Sequence, residues 1–291
     1  MERLINQDKF LINFAPEQWD SVTKFRKFNY IPLENNSLFK RGVSTTEEHL
    51  RKFRTLAEIA NELMPKLEID ENELKKDGYT SAKYSKQLSA IVECSINELY
   101  SSLDGIRDVI YSIYSHIQGI QKKSTSKLFS KAKDNDYPHD FPIELNTLLS
   151  EAYDSWFIKL RIYRTEFTHG SLGFCHKDDK TNKISYMHSG LGNSQKALII
   201  DDFISYINDT FKNVLLLQHN IFEFFYNTLL LESTTTLCGI YKGLAYMRFI
   251  EPEKDLTFHS GICHSLEYKY PCPLKDKCGA YTNAKEHKKN S

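Results

Sequence analysis

The apolar positions of this chain recur mainly at helical spacing. From about residue 81 to 119, Leu88, Val92, Ile96, Leu99, Leu103, Ile106, Ile110, Ile113 and Ile117 step by 4, 4, 3, 4, 3, 4, 3 and 4. That rhythm keeps one face of a long helix apolar for many turns. Gly105, inside the stripe, predicts either a kink or a close approach by a neighbour. An earlier helix opens at Thr45 or Thr46, with Glu47 and Glu48 in its first turn, and carries Leu50, Phe53, Ala57, Ala60, Leu63 and Leu67. A third helix aligns Leu145, Leu149, Ala152, Trp156, Leu160, Tyr163 and Phe167 and stops at Gly170. A fourth, over about 196–232, aligns Ile200, Ile204, Ile207, Phe211, Val214, Ile221 and Phe225.

Between these runs the pattern changes. Residues 1–45 mix aromatic and charged residues and read as an arm. The lysine-rich stretch 120–142, with Pro138 and Pro142, reads as a connecting loop. In 171–192, SLGFCHKDD and KISYMHSG flank the turn-like KTN, the signature of a β-hairpin. After residue 232, TLCGIYKGLAYMRFI has strand-like content and is followed by a loop-like segment that holds His259, Cys263, His264, Cys272 and Cys278. The fold class expected is all-α: an antiparallel helical bundle with a β-hairpin insert and a small cysteine-containing C-terminal module. Its parts are an arm at 1–45, the bundle at 46–232 and the module at 233–291.

Composition adds little and excludes some classes. Lys plus Arg and Asp plus Glu are 38 each in 291 residues, so net charge favours neither nucleic acid nor an acidic surface. No apolar run reaches the length of a membrane span. The first residues, MERLINQDKFLINF, are broken by charges and lack a signal peptide's apolar core, so the expected location is cytoplasmic. Six cysteines then do not read as a disulfide framework.

Candidate chemistry sits at the end of the third helix, LRIYRTEFTHGS, where four residues separate Arg164 from His169. A long striped helix followed by a helix ending in Arg-x-x-x-x-His resembles the HEPN superfamily, over about residues 80–232. The resemblance implies an α-helical bundle that cleaves RNA, with tRNA and mRNA among the substrates, without a metal cofactor. It also implies a homodimer pairing two motifs across a two-fold axis. A toxin or phage-defence setting follows by the same resemblance, with an antitoxin or other partner protein. His169 is then general base or acid, because its ordinary pKa lies near neutrality. Arg164 holds the scissile phosphate in its two-pronged guanidinium. Glu98 and Asp104 on the long helix, and Thr165 and Glu166 beside the motif arginine, are the supporting candidates. Thr165 stands where active members commonly carry Asn or Asp. In a regular helix five residues turn through about 500°, so Arg164 and His169 point about 140° apart.

The alternatives stay open on sequence. Arg164 pairs equally well with Glu166, Glu98 or Asp104 as a structural ion pair, and the same bundle serves as a non-catalytic module that binds nucleotides, RNA or a protein. Lys122, Lys123 and Lys127 form either a phosphate-tracking patch or a solvated loop. Cys238, Cys263, Cys272 and Cys278 are candidate ligands of a structural zinc, or reduced thiols packed as small hydrophobes. No HExxH or paired-carboxylate motif points to a catalytic metal.

Overall fold

The computed structural model describes residues 10–29, 36–178, 180–193, 196–253 and 255–290. In chain order the elements are β1 (Leu11–Ile12), α1 (Ser21–Phe28), α2 (Asn36–Leu63), α3 (Leu67–Asp77), α4 (Lys83–Tyr114), α5 (Thr125–Lys133), α6 (Ile143–Ala152) and α7 (Ile158–His169). They continue with β2 (Phe174–Lys177), β3 (Ile184–Asn193), β4 (Lys196–Ile200), α8 (Phe203–Thr228), β5 (Thr234–Tyr241), β6 (Leu244–Ile250), β7 (Ile262–Cys263) and α9 (Gly279–Asn290). Among the described residues the chain is mainly α-helical, with two small antiparallel sheets ordered β2-β3-β4 and β1-β5-β6-β7. No helix among the described residues is long and apolar enough to cross a membrane. The chain divides into two units, residues 33–221 and residues 1–32 with 222–291.

In the larger unit α4 is the central element. Every stripe residue from Leu88 to Ile113 is buried, and the helix ends at Tyr114, five residues short of the expected 119. Gly105 marks a close approach. A Cβ there would lie 2.7 Å from the Gly42 carbonyl oxygen and 2.7 Å from the Thr46 amide nitrogen, both on α2. Thr46 is therefore not a helix start. It is buried in the middle of α2, where its hydroxyl donates to the Gly42 carbonyl at 3.0 Å, and the helix begins ten residues earlier at Asn36.

Three further expectations are corrected. The stretch read as a loop contains α5, capped by Ser124, whose Oγ accepts the Lys127 N–H at 3.2 Å. Its buried Phe129 stacks on Phe157 at 3.9 Å. The third helix is interrupted by a π-helical turn over Tyr153–Phe157, so Phe157 is buried in place of Trp156. The fourth helix starts at Phe203. The residues before it form β4, which pairs with β3 through Tyr186↔Ile200, Met187↔Ile199 and His188↔Leu198.

The three-stranded sheet is tied to α4 by a polar row at four-residue spacing. Ser85 donates to the Cys175 carbonyl at 2.6 Å, and Ser89 accepts the Cys175 N–H at 2.8 Å. Buried Glu93 accepts the Gly173 N–H at 2.8 Å and the Tyr186 hydroxyl at 2.5 Å. Glu93 and burial together push the Tyr186 hydroxyl far above its ordinary pKa, burial being the larger cause.

The smaller unit holds α1, the end of α8 from Phe222, the four-stranded sheet and α9. Phe14, Phe25, Phe28, Phe222, Phe225, Tyr246 and Ile250 fill its core, with Phe25 against Phe225 at 5.6 Å.

Candidate functional site

Arg164 and His169 both lie on α7, and His169 is its last residue. The helix stops there because Gly170 turns extended while its N–H still reaches the Glu166 carbonyl at 2.6 Å. The buried face of α7 is Leu160, Tyr163 and Phe167. The opposite face presents Ile158 and Ile162, 36% and 47% exposed, followed by exposed Thr165 and His169. These four positions fall within about 60° of one another on a regular helix.

Arg164 leaves the helix on a different side. Its guanidinium lies 5.1 Å from the centre of the Tyr100 ring of α4, and the residue is half-buried. Neither Arg164 nor His169 has a carboxylate partner among the described residues, so the ion-pair alternatives with Glu166, Glu98 and Asp104 are not formed. Burial is the main cause that raises the Tyr100 pKa, Asp104 adds to it, and Arg164, Arg161 and Arg107 oppose it. Three guanidiniums therefore act on one phenol. Arg107 is neutralised by Asp104 at 2.8 Å and Asp108 at 2.7 Å. Arg161 donates to Ser126 Oγ at 2.9 Å and, like Arg164, carries no acidic partner among the described residues.

The supporting candidates separate. Glu98 faces α2 and bonds His49 Nδ1 at 2.5 Å, away from the motif. Asp104 is on the motif side and is held by Arg107 and Thr125. Thr165 donates back to the Arg161 carbonyl at 2.9 Å. Glu166 points toward the hairpin, 4.0 Å from Nδ1 of buried His188, in a notch that side chains at Gly170 and Gly190 would fill. His188 has its own partners: Nδ1 accepts the Gly190 N–H at 3.1 Å, and Nε2 bonds the Ser171 carbonyl at 2.6 Å. Lys122, Lys123 and Lys127 are exposed, with Lys122 5.4 Å from the Tyr111 ring.

Sequence reasoning missed Arg161 and Tyr100. Arg161 sits one turn before Arg164, a signal that was available. Tyr100 follows the stripe residue Leu99 and had no signal to separate it from the core.

The four C-terminal candidate ligands come together in the smaller unit. Cys238, Cys263, Cys272 and Cys278 line one small cavity with Phe10, Tyr246 and Arg248. All are free thiols. Burial is the main cause that raises the pKa of Cys238, Cys263 and Cys272. As the side chains stand, no three His, Cys, Asp or Glu residues among those described converge as they would around an ion. His259 uses Nδ1 to accept the Gly279 N–H at 3.3 Å, and His264 stacks on Phe249. No protein-family model matches the chain, and no curated protein or solved structure is significantly similar to it.

Proposed function

We propose that residues 33–221 form an HEPN-type helical bundle that acts as a metal-independent endoribonuclease, assembled as a homodimer. The observation that carries this reading is the outward face of α7. It bears Ile158, Ile162 and His169 in one exposed row, beside an arginine with no acidic partner among the described residues. Exposed isoleucines in a row suit a second copy of the same helix, an isologous contact that would bring two His169 side chains close to the axis.

In the reaction, a ribose 2′-oxygen attacks the adjacent phosphorus as His169 takes its proton. The bond from phosphorus to the 5′-oxygen breaks, and a protonated histidine supplies the leaving oxygen's proton. The products are a 2′,3′-cyclic phosphate and a 5′-hydroxyl. Arg164, with Arg161 one turn away, would hold the phosphate oxygens while charge builds on them. Lys122, Lys123 and Lys127 would meet neighbouring phosphates. A cytoplasmic toxin or phage-defence role, with an antitoxin or partner protein, belongs to the same reading.

A second reading, a non-catalytic RNA- or protein-binding module, is favoured by the packing of Arg164 on Tyr100 and its angular distance from His169. A cleavage assay separates the two. Purified chain is incubated with total RNA and tRNA in excess EDTA, beside Arg164→Ala, His169→Ala and Ile162→Asp, with folding checked by circular dichroism. The nuclease reading expects cyclic phosphate ends and a loss of at least about 100-fold in both motif variants. It also expects Ile162→Asp to shift the chain from dimer to monomer in light scattering and to lose activity with it. If wild type does not cut, or the motif variants cut equally well, the binding-module reading replaces it.

A further inference from the structure

The strongest chemistry outside the motif lies around Arg248 of β6. This side chain is 2% exposed and has no carboxylate partner among the described residues. Its guanidinium lies 4.0 Å from the Phe14 ring centre. Nη1 donates to the Phe258 and Ser260 carbonyls at 2.7 and 2.9 Å. The other side of the fork is given to sulfur: Nε donates to Cys238 Sγ at 2.9 Å and Nη2 to Cys278 Sγ at 3.4 Å. Nε and Nη2 lie on one edge of the guanidinium plane, so the two sulfurs are held side by side. Of the remaining two thiols, Cys263 Sγ takes the Ser265 N–H at 3.4 Å.

A neutral thiol is a weak acceptor, and a packed hydrophobic cysteine has no use for a donor. Here three of the four sulfurs that line the cavity receive an N–H, and one donor is a buried cation. A metal-bound cysteine sulfur would use such donors, because it accepts strongly and needs compensating charge. Four thiolates around a divalent ion carry a net double negative charge, and Arg248 then has its missing counter-charge. The cavity between them is about 20 Å³, room for one water-sized atom.

We propose that Cys238, Cys263, Cys272 and Cys278 bind a single zinc ion as a closed tetrathiolate site, with the Arg248 fork as its positioning residue. Four thiolates without an open position make this a structural site that joins β5, β7, the loop at Cys272 and the start of α9. The thiols turn inward from their present orientations on binding, because the sulfurs are gathered round the cavity without yet converging.

The test uses the full chain, purified without chelator. Elemental analysis should find one zinc per chain and neither iron nor sulfide. Replacing zinc by cobalt should give the intense visible bands of tetrahedral thiolate cobalt. Arg248→Lys keeps the charge but removes the fork, so it should weaken cobalt affinity by about 10- to 100-fold with the bands retained. Cys272→Ser should alter or abolish them. A folded chain that holds no zinc and takes up no cobalt overturns the proposal, whatever the variants do. So does a chain isolated with iron and sulfide, or with disulfides among these cysteines. Unchanged affinity in Arg248→Lys removes Arg248 from the site. None of these outcomes depends on RNA cleavage.

Discussion

Replacing Gly105 by Ala tests the contact that sets α4 against α2, and the structure makes the sign of the effect diagnostic. In an exposed helix interior, Gly to Ala is stabilising by about 1 kcal/mol, because Ala loses less backbone freedom on folding. At Gly105 the new methyl would sit 2.7 Å from two backbone atoms of α2, the Gly42 carbonyl oxygen and the Thr46 amide nitrogen. Backbone atoms in a packed helix cannot swing aside as a side-chain tip can, so the two helices must part. Overpacking of this kind costs about 1–3 kcal/mol. The helix-propensity gain offsets part of that, leaving a net loss of up to about 2 kcal/mol. For a unit of this size the melting temperature should fall by up to about 8 °C. Thermal and urea unfolding followed by circular dichroism would measure it. A rise in stability near the propensity value alone would refute the close approach of α2 and α4 at this position.

Two other perturbations probe the row that ties the sheet to α4. Tyr186→Phe removes a hydroxyl that donates to buried Glu93 at 2.5 Å, leaving that carboxylate short of a donor. Urea unfolding should show a loss of about 1–3 kcal/mol, and a loss within error would mean the bond is not formed. Burial pushes the Cys175 thiol from 9.0 up to about 12. The unfolded chain therefore releases this proton first, and the contribution is intact below pH 9 and lost as pH rises toward about 12. Stability against pH should consequently fall more steeply over that window for wild type than for Cys175→Ala, and parallel curves would contradict the burial of the thiol.

What the sequence displays is what a single element decides for itself. The α4 stripe could be read because every third or fourth residue is large and apolar, and each of those from Leu88 to Ile113 is buried. The hairpin could be read from its turn: Asp178 Oδ1 accepts the N–H groups of Lys180 and Thr181, at 3.0 and 2.7 Å. Features decided by a neighbour were hidden. Nothing local distinguishes Thr46 as an interior residue rather than a cap until Gly42 and Gly105 are seen to touch. The strand β4 was absorbed into a helix because KALII runs straight into the apolar rhythm of α8, and the helix cap is Asp202, whose Oδ1 accepts the Ser205 N–H at 3.1 Å. The cysteines showed composition without a knuckle spacing, and the partner of two of them, Arg248, comes from a strand with no motif of its own.

The placement of the motif follows from the same kind of hidden geometry. Leu160 is eight positions after Ala152, and a regular helix would turn through about 800° between them, leaving the two about 80° apart. Both are nevertheless buried. The π-helical turn at Tyr153–Phe157 resolves this, since one extra residue in the turn absorbs about 100° and returns Leu160 to the face of Ala152. With Leu160, Tyr163 and Phe167 fixed inward, Ile158, Ile162, Thr165 and His169 have no direction left but outward, and Arg164 is left on the flank against Tyr100. The exposure of His169 is thus set by core packing a turn and more upstream. The angle that separates it from Arg164 within one chain is the reason the proposed site needs a second one.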